Sequence, residues 1–253
     1  TELNYAAMII SVFIRYVERI PTIKDLIKRL NDDIAFKLNC GFLVSDDIPS
    51  EASYSRLLTK LSESNILEKV QEKLIIQAIA EGFIIDDTVA IDATHFEARD
   101  QAPPKEEKTK AKPKKRGRKS KQEREKWLRE QAEKEANKPL YEKPIKAQLD
   151  VTLSELRAEV PQDPKWGVKK NSEGKNEFWF GYKGHLAVGA SSQYFLQSLF
   201  SSGSLNDGKA AIPLLKGIDN LPLSHIRYQT MDAGYDYEPI YTQVYQMNQQ
   251  SVI

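Results

Sequence analysis

The chain of 253 residues is 40% hydrophobic and 29% charged, with 37 Lys/Arg against 36 Asp/Glu and a single cysteine, Cys40. At this length that hydrophobic share can bury a core, which excludes a wholly disordered chain and allows one large domain or two smaller ones. One cysteine excludes a disulfide framework and fits a reducing compartment. The most apolar run, Ala6 to Ile14, is about half the length of a membrane span and lacks the flanks of a signal peptide. The near-neutral total hides a local imbalance. Lys105 to Lys121 hold ten Lys/Arg and two Glu, so the remainder of the chain is net acidic.

Residues 1–82 read as an all-α N-terminal domain. Tyr5, Met8, Ile9, Val12, Phe13, Tyr16 and Val17 keep helical spacing, and Pro21 ends that helix. Thr22 with Asp25 reads as an N-cap with an acid three residues on, opening a helix through Leu26 and Leu30. Ser50 caps a further helix that turns Tyr54, Leu57, Leu58 and Leu61 inward and Ser53, Arg56 and Lys60 outward. Asn65 starts a helix through Leu74, Ile75 and Ile79, which Gly82 stops.

After Phe83 the pattern becomes β-rich. Thr88-Val89-Ala90-Ile91-Asp92 is a short strand that leads on through Thr94 and Phe96. Residues 100–150 interrupt it with Lys, Glu and Pro, and read as a largely solvated, mobile insertion, extending to about residue 165, with a charged helix near Lys121–Ala136. Strand-like sequence resumes over Phe178–Val188 and Tyr194–Phe200. Asn206-Asp207 opens a helix through Ile212 and Leu215, Ile226 to Met231 is a strand ending at Asp232, and Pro239 lies in the first turn of a helix through Val244. Val252-Ile253 begins one more strand. The first residue is Thr1 and an apolar run is starting at Ile253, so the sequence reads as a segment of a longer protein.

Two acids, Asp92 and Asp232, each end a strand. A carboxylate there either caps the following turn or binds a hard divalent cation, and a pair of them can polarise both oxygens of a phosphodiester undergoing displacement. Ile91-Asp92-Ala93-Thr94-His95 resembles the first-acid segment of DDE-type insertion-sequence transposases. Thr230-Met231-Asp232-Ala233-Gly234-Tyr235-Asp236 is similar to their second-acid segment. Phe180-Gly181-Tyr182-Lys183-Gly184-His185 and Leu205-Asn206-Asp207 resemble segments between the two.

The resemblance implies a ribonuclease-H-like mixed sheet with flanking helices over residues 83–253, and an N-terminal domain that binds the ends of the element. It implies Asp92 and Asp232 as catalytic, metal-binding acids, Mg²⁺ as cofactor with Mn²⁺ as substitute, and cleavage and strand transfer of double-stranded DNA. It further implies a homodimer assembled on the inverted repeats and target DNA, in the cytoplasm with the nucleoid. The family's third acid, a Glu within a Tyr/Arg/Glu/Lys pattern on a later helix, has no match up to Ile253, so residues 1–253 are expected to bind DNA without cleaving it. Two rivals remain: a catalytically dead transposase acting as a repressor, and a ribonuclease-H-like nuclease.

The basic run Lys112-Pro113-Lys114-Lys115-Arg116-Gly117-Arg118-Lys119 resembles an AT-hook, whose Arg-Gly-Arg lies in the minor groove of A·T-rich DNA. A solvated linker binding any polyanion fits it equally. Arg56 and Lys60 sit where a recognition helix would present them. Lys183 and His185 are DNA-contact candidates on a strand that also reads as core. His95, three residues after Asp92, either approaches the metal or is satisfied by a neighbour.

Overall fold

The computed structural model describes residues 3–104, 120–170 and 173–253. The chain divides into two compact units, Thr1–Leu74 and Ile75–Ile253.

The first unit is helical. It contains α1 (Tyr5–Val17), α2 (Ile23–Asp32), α3 (Ile34–Asn39), α4 (Glu51–Ser62) and the start of α5 (Ile66–Ala80). Local chemistry sets the starts. Asn4, Thr22, Asp33 and Ser50 each accept a hydrogen bond from the backbone N–H three residues on, satisfying a donor the helix leaves orphaned. Met8, Leu26, Leu30, Phe36, Phe42 and Tyr54 form the core. The Tyr54 hydroxyl is buried and satisfied by Ser11 Oγ at 2.9 Å. The helix α3 is absent from the sequence expectation. Asp33 both closes α2 and caps α3, so two helices abut without a turn signal.

The second unit carries a six-stranded mixed sheet: β1 (Thr88–Glu97), β2 (Lys165–Lys170), β3 (Asn176–Gly189), β4 (Phe195–Ser202), β5 (Tyr228–Met231) and β6 (Gln250–Val252). The order runs β2-β3-β1-β5-β6, with β4 also on β3. Pairing of β3 with β1, β2 and β4 is antiparallel; β1–β5 and β5–β6 are parallel. Helices α6 (Lys121–Ala136), α7 (Leu153–Ala158), α8 (Asp207–Asp219) and α9 (Glu238–Gln246) complete the unit. The strand β2 is a second addition to the sequence expectation. Its sequence, KWGVKK, is short and half charged, and Gly167 is there because the Trp179 indole lies opposite: a Cβ would sit 2.3 Å from it.

Helix α8 buries an apolar run from Ala210 to Leu215 and packs with Val89, Ile91, Ala187, Leu199 and Met231 of the sheet in one core. The alternate residues Ala90, Leu186, Val188 and Thr230 face the other way and are half-buried. The charged helix falls where its composition placed it, at Lys121–Ala136, opened by a Ser120/Glu123 capping box and burying none of its residues. The stretch after it corrects the expectation of a solvated insertion to residue 165. Leu140, Tyr141, Ile145, Leu156 and Val160 belong to the main core. Short 3₁₀ turns at Leu140–Glu142 and Ile145–Gln148 let this polar-looking segment dip its few large apolar groups inward. Residues 105–119, which hold Lys114, Lys115, Arg116, Arg118 and Lys119, lie outside the described residues.

Candidate active site

The strand register brings the two acids together. The parallel ladder of β1 and β5 pairs Thr88 with Tyr228 and ends with Ile91 opposite Met231. Asp92 and Asp232 each come next, on neighbouring strands although 140 residues apart in sequence. Ile91 and Met231 are buried in the core with α8; Asp92 continues β1, and Asp232 follows β5 with an extended backbone as it enters the next turn. Both acids are exposed. Each spends one oxygen locally: Asp92 Oδ1 accepts from the Ala93 N–H at 2.7 Å, and Asp232 Oδ1 from the Gly234 N–H at 2.9 Å. The second bond starts a 3₁₀ turn, Ala233–Tyr235, and requires the close approach of Gly234, where a Cβ would lie 2.9 Å from Asp232 Oδ1. Charged oxygen donors at the ends of adjacent parallel strands suit a hard divalent cation. Among the described residues, no three His, Cys, Asp or Glu side chains converge closely enough to hold one ion together.

Beside the pair lies a buried polar group of residues that the sequence pattern does not assemble. Lys183 Nζ, on β3, donates to Asp207 Oδ1 at 2.8 Å and to the Leu205 carbonyl at 2.9 Å, with the lysine side chain only 12% exposed. Asp207 opens α8, where the helix dipole favours a negative charge. His185 is fully buried; its Nε2 is 2.9 Å from Ser201 Oγ and its Nδ1 3.8 Å from Asp207 Oδ1. Burial pushes the imidazole down to about 4, the Asp207 charge opposing and the Lys183 charge adding to that shift. Tyr235, at the end of the turn that Asp232 begins, is 1% exposed, and its hydroxyl has no hydrogen-bond partner among the described residues. Burial raises its pKa above the usual tyrosine range, and the charges of Asp207, Asp92 and Asp232 raise it further.

Two of the DNA-contact candidates lie inward. His185 is fully buried, and the Lys183 ammonium, on a side chain 12% exposed, is paired with Asp207. His95 is half-exposed and packs on Trp179, with ring centroids 4.8 Å apart. Arg56 and Lys60 are exposed on α4, and Arg56 donates to Ser53 Oγ at 3.2 Å. Asp207 is readable in the sequence as a helix opener and within the Leu205-Asn206-Asp207 segment, and Tyr235 as part of the second-acid segment.

The fold and the paired acids define a mixed α/β protein with two carboxylates at the carboxyl ends of neighbouring parallel strands. The family described as Transposase DDE domain matches residues 149–253, and the family described as Transposase domain (DUF772) matches residues 1–60. Together the two matches, over separate stretches of the sequence, indicate that the chain is an insertion-sequence DDE-type transposase. It is a DNA transposase, and its family comprises DNA-cleaving phosphoryl-transfer enzymes that use divalent metal ions. The first match begins downstream of Asp92, so that residue rests on the strand register and its own motif. No curated protein and no solved structure gives a significant match to the chain. No described helix is long and apolar enough to cross a membrane.

Proposed function

We propose that Asp92 and Asp232 are two of the three acids of a ribonuclease-H-like transposition centre, and that they share a Mg²⁺ ion, for which Mn²⁺ can substitute. The observation that supports this is the parallel β1–β5 register, which ends at Ile91–Met231, one residue before each acid. Their uncommitted oxygens fit the ion, which when bound supplies charge neutralisation for attack on a phosphodiester. The chain's own part is positioning. The Ala93 and Gly234 N–H groups fix one oxygen of each acid, and the α8 core holds the strands that carry them.

The all-α residues 1–82 bind the inverted repeats through the face of α4 that exposes Arg56 and Lys60, and the basic run Lys114–Lys119 adds phosphate affinity. The protein acts as a homodimer on DNA. With no group of three ligating side chains among the described residues, residues 1–253 cleave DNA at background rate even with Mn²⁺.

The test is cleavage of a labelled duplex carrying the element's end, using a chain that also carries the glutamate of the family's later pattern. Asp92→Asn or Asp232→Asn should lower cleavage by about 10²-fold or more, the scale on which losing a charge-stabilising group acts, and leave DNA binding intact. Metal-dependent cleavage by residues 1–253 alone would place the third acid within them, with Asp236 and Glu238 the next to mutate.

A further inference from the structure

The face of the sheet turned away from α8 carries a run of exposed rings that the core does not use. Along β3, Trp179, His185 and Ala187 are buried, so Phe178, Phe180 and Tyr182 alternate with them onto the other face. The register adds a neighbour from each side. Trp166 of β2 pairs with Phe180, and Phe96 of β1 pairs with Tyr182; residues directly opposite share a face. The rings meet. Tyr182 stacks on Phe200 of β4 with centroids 5.0 Å apart, Phe96 lies 6.0 Å from Phe200, and Trp166 lies 5.8 Å from Phe180. Gly184 makes the seat for this group, since a Cβ there would lie 2.7 Å from the Phe96 ring. Phe96, Trp166, Phe178 and Phe200 are nonetheless 46–65% exposed.

A contiguous exposed patch of this kind marks a contact surface, and two features say with what. It is continuous with the candidate active site. Asp92 and Phe96 share a strand and a face, four residues or about 13 Å apart, while His95 between them turns the other way onto Trp179. Its outer edge is basic. The strand β2 carries Lys165, Lys169 and Lys170 and no acid, and of these Lys169 is paired, with Glu177 at 3.6 Å. Flat rings beside a lysine-bearing edge suit nucleic acid in its single-stranded form. Every base has a π-face to stack, whatever the sequence, and cations follow the phosphates. The chain is a DNA transposase, so the strand that passes Asp92 is DNA.

We propose that this face, with Phe96, Trp166, Phe178 and Phe200 as its exposed rings, binds single-stranded DNA by base stacking, beside the strand end that carries Asp92. A break in a duplex leaves a length of strand free to unpair. Bases released there stack first on the Phe96, Tyr182 and Phe200 group and then on Trp166 and Phe178 beyond it. Paired bases keep their faces inside the duplex and gain nothing from the rings, so the surface distinguishes an opened end from an intact one. Its placement beside the reacting phosphate rests on Asp92 being an ion ligand; the stacking does not.

The experiment is fluorescence anisotropy of a labelled oligothymidine, and of a labelled duplex of the same length, titrated with the whole chain in EDTA at several salt concentrations. Phe96→Ala and Trp166→Ala should each weaken oligothymidine binding by about five- to a hundredfold, the worth of one stacked base. Duplex binding should stay within about twofold, and the salt slope should not change, because no phosphate contact is removed. Phe96→Leu keeps an apolar side chain and loses the ring, so it should weaken oligothymidine binding as alanine does. Full affinity in Phe96→Leu, or equal losses for both probes, would overturn the proposal. So would unchanged oligothymidine binding in Phe96→Ala together with a shift from dimer to monomer in sedimentation, which would make the face a contact between copies of the chain. Should an alanine variant fail to fold, Phe96→Leu and Trp166→Leu decide by the same readout. Calorimetric titration of the unaltered chain with Mn²⁺ separates this inference from the acid pair. Ring-dependent losses in a chain that binds no Mn²⁺ refute the pair and support the stacking face; Mn²⁺ binding without those losses does the reverse.

Discussion

His185 illustrates how one buried side chain ties stability to pH. Its ring is fully buried beside Asp207, Lys183 and Ser201, and its pKa in the folded chain is pushed down to about 4 from an ordinary 6.5. Between those values the unfolded chain binds a proton that the folded chain refuses. The stability that neutral His185 contributes is therefore complete above about pH 6.5 and is lost as pH falls toward 4. The size is on the order of 2–3 kcal/mol, which corresponds to a Tm lower by about 5–10 °C at pH 4.5 than at pH 7. His185→Gln should flatten that difference in a thermal melt; an equally steep dependence in the variant would assign it to other groups. At Gly234 the expectation is local. Alanine there brings a Cβ to 2.9 Å from Asp232 Oδ1, so Gly234→Ala should weaken Mn²⁺ binding several-fold while changing Tm little.

At the scale of elements, the hairpin of β2 and β3 depends on Gly167. A Cβ there would overlap the Trp179 indole at 2.3 Å, a ring that is buried and cannot swing clear. Gly167→Ala should cost about 1–3 kcal/mol by overpacking, read as a lower denaturation midpoint. It should also disturb His95, which packs on the same indole. Elements are legible in the sequence where local signals are strong. The helix α1, the charged helix α6 and the Pro239 start of α9 all coincide with their caps and periodicity. The strand β2 and the segment Leu140–Val160 are not legible, because their apolar residues are few and their burial is decided by the distant strands and α8. The acid pair is legible as two motifs. Their adjacency comes from the parallel ladder, and the contacts of Asp207 with Lys183 and His185 join α8 to β3, which no spacing along the chain announces.

For the whole molecule, charge is distributed by segment. The run Lys105–Lys121 carries ten basic residues against two acidic ones, while the rest of the chain is net acidic. General DNA affinity should therefore depend on that run. Deleting it should lower affinity and flatten the salt dependence, by about one unit of slope for each phosphate no longer neutralised. Affinity and slope both unchanged in a titration from low to physiological salt would remove the run from the DNA interface.

The central claim is that two acids 140 residues apart hold one ion. Its most direct test replaces that ion with Fe²⁺ and maps where peroxide and ascorbate then cut the polypeptide. The account predicts two cuts, near Asp92 at the end of the β1–β5 ladder and near Asp232. Both should be suppressed together by excess Mg²⁺, and both should disappear together in Asp92→Asn or Asp232→Asn. Cutting at one acid that survives removal of the other, or cutting elsewhere with neither strand end touched, would contradict it.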